Sequence, residues 1–289
     1  MNKNVIWITG IVCALLLGSA IALAGSQGGS LWRGLPLFAL CCAAAFAIQW
    51  IMFVPAWIYQ TEHYFDLTGS LTYISLVVIA VVLGQGDVRS LLIGALVVVW
   101  AIRLGSFLFA RIRAAGEDRR FRSIKTDFLQ FLMTWTLQGA WVSITLGAGL
   151  AAMTSAKEVP LGGFALAGLM LWLAGFAIEV LADNQKSRFK ADPENQDAFI
   201  NVGLWRWSRH PNYFGEIVLW IGITVMAFPV LQGWQYATLI SPIFVVVLLT
   251  KISGVRMLEL RSDKKWGSDP VYQAYKSDTP VLMPRPPRS

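Results

Sequence analysis

The sequence predicts an all-α, polytopic membrane bundle of seven or eight transmembrane helices. Of its 289 residues, 56% are apolar and 14% are charged, whereas an ordinary soluble domain is about 45–50% apolar and about 25% charged. Eight apolar runs reach the length of roughly 20 residues that a bilayer crossing needs, and basic residues cluster in alternate connections between them. This composition excludes a disordered chain, a collagen-like chain and a small disulfide-stapled domain.

Each apolar run is taken as one helix that crosses the bilayer. The runs are separated by polar or Gly-containing stretches, and no internal repeat or Pro-rich linker divides the chain. Gly-rich stretches within them predict close helix packing. The predicted spans are residues 5–24, 32–59, 67–84, 89–110, 127–153, 160–182, 212–231 and 234–256.

The placement of Lys and Arg predicts the orientation of the bundle. Seven lie in 103–125, five in 183–211 and eight in 251–289, and Lys3 adds one at the N-terminus. Because basic residues favour the cytoplasmic side, both termini and the connections around 60–66, 111–126 and 183–211 are predicted to face the cytoplasm. The other side then holds only Arg33, Arg89 and Lys157.

We interpret the chain as a single membrane domain, with N-terminal helices in 5–60 and a core in 61–289 whose tail, 257–289, is cytoplasmic. Lys3 and the apolar run that follows it also have the form of a cleaved signal peptide. Removal of that run would leave the orientation of the rest unchanged. The three cysteines show no metal-binding or redox spacing, so no metal site is expected.

Three pairs of polar residues lie at predicted cytoplasmic helix ends. An ionisable group within an apolar span is costly and by default marks a functional site. In each pair the residues are four apart, which places them on one face of a helix. The alternative is that each acid pairs with a nearby arginine and only fixes a helix end. The pairs are Glu62 with Asp66, Glu179 with Asp183, and Asn212 with Glu216.

The segment 205–216 carries the most information. Pro211 suits the first turn of a helix, so the seventh span should begin there. Arg209 and His210 would then lie at a helix N-terminus, which attracts anions and phosphate in particular. Asn212 and Tyr213 offer an amide and a ring face to a flat heterocycle. The tryptophans in this segment, Trp205 and Trp207, also fit an interfacial anchor.

These residues resemble the steroid 5-alpha-reductase superfamily, in particular its bacterial DUF1295-like branch, over about residues 55–284. The element Arg-His-Pro-x-Tyr-x-Gly is similar to that of isoprenylcysteine carboxyl methyltransferases, phospholipid methyltransferases and sterol reductases, so it indicates the superfamily and not the reaction. A Glu-rich helix near the C-terminus is a further shared feature. The matching segments are 181–190, 209–216, 272–276 and 279–284.

The resemblance leaves two chemistries open. The first is an NADPH-dependent reductase of a carbon–carbon double bond conjugated to a ketone in a steroid-like lipid, of the 3-oxo-5-alpha-steroid 4-dehydrogenase type. The second is a methyltransferase that uses S-adenosylmethionine. Segment 103–125 contains six Arg and one Lys, which favours a phosphate-bearing cofactor. No Gly-x-Gly-x-x-Gly follows a strand, so helix ends and loops must bind it. A third interpretation is a transporter or a lipid-binding assembly protein. The sequence shows no inverted repeat of the kind that many transporters have, which argues against it.

The resemblance also implies the site residues. Glu62 and Glu216 are the predicted catalytic acids, and Tyr64, or alternatively Tyr59, is the partner phenol. Burial should raise the pKa of such a carboxyl, so that it stays protonated and donates a hydrogen bond to the ketone oxygen. Trp100 stands where the steroid enzymes have a Tyr. The predicted cofactor-binding residues are Arg103, Asp183, Asn184, Arg188, Arg209, His210, Asn212, Tyr213 and Arg256.

The roles of single residues and the setting complete these expectations. Neutral His210 would suit a ribose or phosphate contact, or else would only cap the helix; His63 is unassigned. The tail is expected to fold back as a lid over the cofactor. We expect a monomer in a bacterial inner membrane, with the cofactor site on the cytoplasmic face. Its substrate would be a lipid or steroid from the bilayer, its only other partners would be membrane lipids, and it would bind no nucleic acid.

Overall fold

The computed structural model describes residues 2–287 and confirms the all-α class. A short antiparallel hairpin, β1 with β2, is the one sheet in the described chain. Short 3₁₀ and π turns connect several helices. The elements are α1 Lys3–Gly25, β1 Leu31–Trp32, β2 Leu35–Pro36, α2 Leu37–Ile58, α3 Phe65–Leu83, α4 Val88–Ala115, α5 Phe128–Thr145, α6 Gly147–Met153, α7 Gly163–Ala191, α8 Pro211–Ala227, α9 Ile240–Val247, α10 Val255–Trp266 and α11 Pro270–Asp278.

Within residues 2–287, seven helical segments are long and apolar enough to cross a membrane, and the protein is an integral membrane protein. They correspond to seven of the eight predicted spans. By length alone, at 1.5 Å per residue, even the shortest is close to the thickness of the hydrocarbon layer. The segments are α1, α2, α3, α4, α7, Pro211–Val230 and Gly233–Trp266.

The remaining predicted span, 127–153, is not one continuous helix. It is divided into α5 and α6 at Leu146, and neither part is among the long apolar segments. Thr136, Gln138 and Ser143 lower its hydropathy, and all three are buried inside the protein. A helix whose polar side chains are buried inside the protein does not need a uniformly apolar sequence, so its composition differs from that of the spans.

The described chain divides into two compact units, residues 2–165 with 226–241 and residues 166–225 with 242–287. In the first unit, α5 and α6 together run from one end of the bundle to the other. Phe131 of α5 packs with Phe121 and Phe65 at one end. At the opposite end, Met153 of α6 lies beside Gly84, which follows α3.

That opposite end of the first unit is fixed by a buried arginine. The guanidinium of Arg89, at the start of α4, donates to the carbonyl oxygens of Met226 at 2.6 Å, Pro160 at 2.9 Å and Val159 at 3.2 Å. Asp87 caps the same helix through the backbone N–H groups of Arg89 and Ser90. Arg89 therefore joins three separate segments of this unit.

In the second unit, α7 is longer than the predicted span 160–182. It continues to Ala191, so the predicted loop 183–211 begins as a helix. No Gly or Pro interrupts the chain between Asp183 and Pro193. A proline disfavours the helical conformation of the residue before it, which fits the end of α7 at Ala191. The extension carries Asp183 to Arg188 on a regular helix.

Glycines bring α7 and α8 of this unit into backbone contact. A Cβ on Gly215 would lie 2.6 Å from the backbone nitrogen of Glu179, and a Cβ on Gly175 would lie 2.5 Å from the carbonyl oxygen of Gly215. Real Cβ atoms do not approach so closely, so neither site can accept a side chain without moving a helix. This agrees with the predicted role of Gly-rich stretches in close packing.

Candidate functional site

Glu62 of the first unit is buried in the turn between α2 and α3. Its side chain is 0% exposed, and the Nζ of Lys125 lies 2.6 Å from its Oε2. The backbone N–H of Asp118 donates to its Oε1 at 3.0 Å. Two segments distant in sequence therefore meet at one carboxylate.

The predicted protonated state of Glu62 is wrong. Burial alone would raise the pKa of Glu62, but the hydrogen bonds from Lys125 and from the Asp118 amide outweigh it and hold the pKa below the usual value of 4.5. Glu62 is therefore an ionised acceptor near neutral pH and cannot donate a hydrogen bond. The sequence expectation considered burial without the partner that accompanies it.

The predicted shared helix face of Glu62 and Asp66 is also wrong, because Glu62 precedes α3 and only Asp66 lies on it. The Oδ2 of Asp66 is 3.8 Å from Arg120 and 4.0 Å from Arg111. Arg120 also binds Asp118. The carboxylates of this region therefore take up part of its positive charge.

Tyr64 does not form the expected pair with Glu62. Its ring stacks on Phe109 with centroids 5.9 Å apart, and within residues 2–287 no phenol is hydrogen-bonded to Glu62. Tyr64 instead borders an apolar cavity of about 280 Å³ in the first unit. Tyr59 borders it too, and the other lining residues are Met52, Pro55, Ala56, Thr61 and Trp135.

Two further predicted residues of the first unit have aromatic neighbours. Trp100 is buried, and its ring meets that of Tyr73 edge to face at 5.1 Å. The guanidinium of Arg103 lies 5.3 Å from the ring centroid of Phe107. His63, which was unassigned, contacts the carbonyl oxygen of Gly116 through its Nε2 at 2.8 Å. This contact helps to hold loop 116–126 against the turn that contains Glu62.

In the second unit, α8 begins at Pro211, as the sequence predicts. The turn before it is docked on α7, because the indole N–H of Trp205 donates to the carbonyl oxygen of Ala182 at 3.0 Å. Trp205 is buried and is therefore not an interfacial anchor, whereas Trp207 is 43% exposed. The sequence signal was the same for both tryptophans.

The site residues predicted on α7, α8 and α10 fall into two groups. Asp183 and Asn212 are brought together, with the Nδ2 of Asn212 donating to Oδ1 of Asp183 at 3.1 Å. Glu216 is half-buried, one turn further along α8. The members of the second group are exposed: Asn184, Arg188 and, on α10, Arg256.

Glu259 of α10 is the residue that sequence reasoning missed. Its Oε2 lies 2.7 Å from Nη1 of Arg209, and its Oε1 lies 2.8 Å from Nε2 of His210. One carboxylate therefore holds both residues that precede Pro211. The Glu-rich helix of the related families was the available signal, but it did not single out this residue.

The environment of His210 keeps its ring neutral. Burial is the largest influence and lowers the pKa of His210, while the hydrogen bond that His210 donates to Glu259 opposes it without reversing the shift. The ring is nearly parallel to that of Tyr213, with centroids 5.7 Å apart and an angle of 10°. Among the described residues no group hydrogen-bonds the buried Nδ1.

The C-terminal tail packs on this motif. The backbone N–H of Arg209 donates to the carbonyl oxygen of Pro280, and that of Arg285 donates to Trp207, both at 2.9 Å. The phenol of Tyr275 donates to the carbonyl oxygen of Trp205 at 2.7 Å. The predicted fold-back of the tail is therefore present, and it covers the segment that leads into α8.

The tail also closes one side of an apolar cavity of about 330 Å³ in the second unit. Met283 and Pro284 of the tail face Trp207, and Pro211 and Phe214 of α8 form another side; the remaining lining residues are Ile178 and Leu204. The motif is thus bordered by an ion-paired cluster around Glu259 and by this cavity.

Comparison with known proteins supports a membrane reductase-like superfamily. The chain belongs to the family described as "Protein of unknown function (DUF1295)", whose model matches residues 30–279. This family is related to the steroid 5-alpha-reductases, as the sequence predicts.

Two curated proteins illustrate the relationship. The chain is 26% identical over 152 residues to "Uncharacterized protein C594.04c" of Schizosaccharomyces pombe, covering 46% of this chain and 43% of that protein. It is 32% identical over 72 residues to "3-oxo-5-alpha-steroid 4-dehydrogenase 1" of Bos taurus, covering 25% of this chain and 28% of that protein. The chain thus spans less than half the length of these relatives. No solved structure matches it significantly.

Proposed function

We propose that the protein is a membrane-embedded, NADPH-dependent reductase of a carbon–carbon double bond conjugated to a ketone in a steroid-like lipid. The observation that carries the reaction class is the similarity to the bovine 3-oxo-5-alpha-steroid 4-dehydrogenase, because the Arg-His-Pro element alone is common to several chemistries. The match covers 25% of this chain, and the cavities and charged side chains of the structure give further support.

The apolar cavity of the first unit supports a lipid substrate. Its volume of about 280 Å³ is near the lower end of the range for small-molecule sites. It is lined by side chains that suit a ring system with few polar groups. Glu62 lies in the turn between two of its lining residues, Thr61 and Tyr64. We propose that the substrate enters this cavity from the bilayer.

Because the carboxylate of Glu62 is ionised, the roles proposed for the catalytic residues change. NADPH, when bound, would supply the hydride. Negative charge would then develop on the ketone oxygen, and a donor near it would lower the barrier. Ionised Glu62 cannot be that donor, so we assign the donation to the phenol of Tyr64 and give Glu62 the task of holding the ammonium of Lys125. Glu216 stays in the proposal as the catalytic acid of the second unit.

The basic side chains of segment 103–125 support a cofactor that carries phosphate, such as NADPH. In segment 103–125, Arg111, Arg120, Arg122 and Lys125 lie within 4.0 Å of carboxylates. Exposed Arg113 and Arg119 have no carboxylate that close anywhere in residues 2–287. Because arginine binds phosphate well, we propose that these two favour a phosphate-bearing cofactor, and Arg103 is carried into the proposal by the family resemblance alone.

In the second unit, the residues around Pro211 carry little net charge. Asn212 and Tyr213 lie beside neutral His210, and the charge of Arg209 is balanced by Glu259. We therefore propose that this unit contacts the nucleoside parts of NADPH. The residues carried into this role are Asp183, Asn184, Arg188, Arg209, His210, Asn212, Tyr213 and Arg256.

The balanced charge of Arg209 also favours the second candidate, a lipid methyltransferase. S-adenosylmethionine carries a sulfonium cation and no phosphate, so a motif with little net positive charge would suit it. The segment 103–125 argues against this candidate, since a basic loop offers nothing to a cation. The two candidates predict different cofactors in the purified protein.

The first experiment is to identify the cofactor that gently solubilised protein retains. Absorbance near 340 nm with nicotinamide fluorescence is expected, and retained S-adenosylhomocysteine would refute the reductase. In a second experiment, Glu216→Gln should lower turnover at least tenfold while cofactor retention stays within about twofold. Equal loss of both would mean that Glu216 supports the structure only.

We also propose the setting of this reaction. The clustering of basic residues at one set of helix ends supports a cytoplasmic location for the cofactor site. We expect a monomer in a bacterial inner membrane, with membrane lipids as its only other partners. Tagging of the C-terminus with a reporter that is active only in the cytoplasm tests the orientation.

A further inference from the structure

One buried acceptor in the second unit is not used by any contact described above. His210 is 5% exposed, and its two ring nitrogens differ sharply. Nε2 lies 2.8 Å from Oε1 of Glu259, while Nδ1 is buried and meets no hydrogen-bonding group in the part of the chain that the structure describes. Buried polar atoms are nearly always satisfied, so an exception needs a cause.

The contact with Glu259 decides which nitrogen carries the proton. A carboxylate only accepts, so Nε2 must be the donor. In the neutral ring the other nitrogen then has a lone pair and no proton. Protonation of Nδ1 would place an additional unpaired donor and a charge beside the guanidinium of Arg209, and burial opposes this state. Nδ1 is therefore an acceptor held in a fixed direction.

We infer that Nδ1 of His210 accepts a hydrogen bond from a ribose hydroxyl of a nucleoside cofactor, and that Glu259 is the positioning residue that fixes His210 in this tautomer. Glu259 does not itself touch the cofactor. A hydroxyl both donates to Nδ1 and is uncharged, so it satisfies the buried atom without adding charge to the cluster.

The same geometry rules out the alternative of a phosphate contact at this atom. An ionised phosphate oxygen has no proton to donate and would face the lone pair of Nδ1. NADPH and S-adenosylmethionine both contain ribose, so the inference specifies the chemistry that they share. It deepens the proposed function if the cofactor is NADPH, and it can be tested separately from that function.

The groups around His210 come from several elements and are accounted for. Glu259 of α10 and Arg209 form the ion pair, and Tyr213 of α8 stacks on the ring. The Nζ of Lys276, on α11, lies 3.9 Å from Oε2 of Glu259. Lys186 of α7 is close enough to oppose a positive charge on the ring. All of them hold the ring neutral or fix its direction.

The test uses two substitutions that separate the ring nitrogens. His210→Gln places an amide near the position of Nε2, so it keeps a bond to Glu259 and removes the acceptor at Nδ1. His210→Asn places an amide near Nδ1, so it keeps the acceptor and gives up Glu259. The two variants are of similar polarity and serve as controls for each other's effect on folding.

Equilibrium binding of four probes to the full-length protein in detergent is then measured by calorimetry. The probes are NADPH, NADH, S-adenosylhomocysteine and a series of analogues of the bound cofactor that each lack one ribose hydroxyl. For the wild type, one analogue should bind about tenfold more weakly, which corresponds to one hydrogen bond. His210→Gln should abolish that difference, and His210→Asn should retain most of it.

The outcomes separate the two proposals. If NADPH binds and no hydroxyl matters, or if His210→Gln still distinguishes the analogues, this inference is refuted and the reductase stands. If His210→Gln instead removes a preference for NADPH over NADH, the contact is to a phosphate and the inference is also refuted. If only S-adenosylhomocysteine binds, the reductase is refuted. The inference is then decided by the same comparison, with analogues of S-adenosylhomocysteine that each lack one ribose hydroxyl. Binding of neither cofactor overturns the inference.

Discussion

Replacement of Lys125 by Met should destabilise the protein because it leaves Glu62 buried without its partner. The ammonium of Lys125 lies 2.6 Å from a carboxylate that is 0% exposed, while the side chain of Lys125 is 22% exposed. Removal of one member of a buried ion pair costs about 3–5 kcal/mol. Because the Asp118 amide still donates to Glu62, we expect about 3 kcal/mol, or a melting temperature lower by roughly 6–12 °C.

The buried cysteines of α2 provide the assay. Cys41 and Cys42 are buried and Cys13 is exposed, so a thiol-reactive fluorophore on a Cys13→Ser background reports unfolding of the first unit. Glu62→Gln should cost less, about 1 kcal/mol, because Lys125 is partly exposed and can reach water. The double variant should then be more stable than Lys125→Met alone, and the mutant cycle should show a coupling of about 2 kcal/mol.

The pH dependence of stability distinguishes loss of the ion pair from simple loss of packing, because the wild type and Lys125→Met should respond to pH in opposite directions. In the wild type the pKa of Glu62 is lowered, so its contribution to stability is present above the unfolded pKa and is lost as pH falls through the folded pKa. In Lys125→Met, burial is less opposed and the folded pKa should rise above the unfolded pKa. That variant should lose stability as pH rises from about 4 to 7. Equal pH profiles, or purely additive losses in the cycle, would refute the assignment of Glu62 as ionised.

Two further predictions concern α8 and the tail. Gly215→Ala should lower the melting temperature by several degrees because its Cβ would lie 2.6 Å from the backbone of Glu179, whereas Gly162→Ala, with nothing within 4 Å, should be nearly neutral; equal melting temperatures would contradict the backbone contact. Truncation after Arg261 should weaken cofactor binding at least tenfold in a fluorescence titration, since the tail holds the segment before α8, and undiminished affinity would mean that the tail is no lid.

The helices could be predicted from the sequence because their signals are local. Apolar runs located seven spans, and the missing N–H of Pro211 located the start of α8. The span predicted at 234–256 lies within the long apolar segment Gly233–Trp266, in which a π turn, Leu248–Ile252, follows α9. The failure also has a local cause. The span 127–153 was predicted from its length and apolar content, although its polar residues are packed inside the first unit.

The site could be predicted only in part because its pairings are long-range. Glu62 and Lys125 are 63 residues apart, and His210 and Glu259 are 49 apart. Spacing by four residues finds neighbours on one helix and cannot find a partner on another. It therefore paired Glu62 with Asp66 and overlooked Lys125. Asp183 and Asn212, which the sequence only assigned to the same cofactor-binding set, do meet, because they lie at the facing ends of consecutive helices.

The roles of the Arg-His-Pro-x-Tyr-x-Gly residues explain how one motif can accompany different reactions. Arg209 and His210 are joined to α10 by Glu259, and Pro211 starts α8. Gly215 admits the backbone of α7. Together, these contacts hold α7, α8, α10 and the tail around the N-terminus of α8. None of them requires a particular cofactor. The motif therefore has a structural role that is common to several reactions, and the reaction must be selected by the side chains that border it.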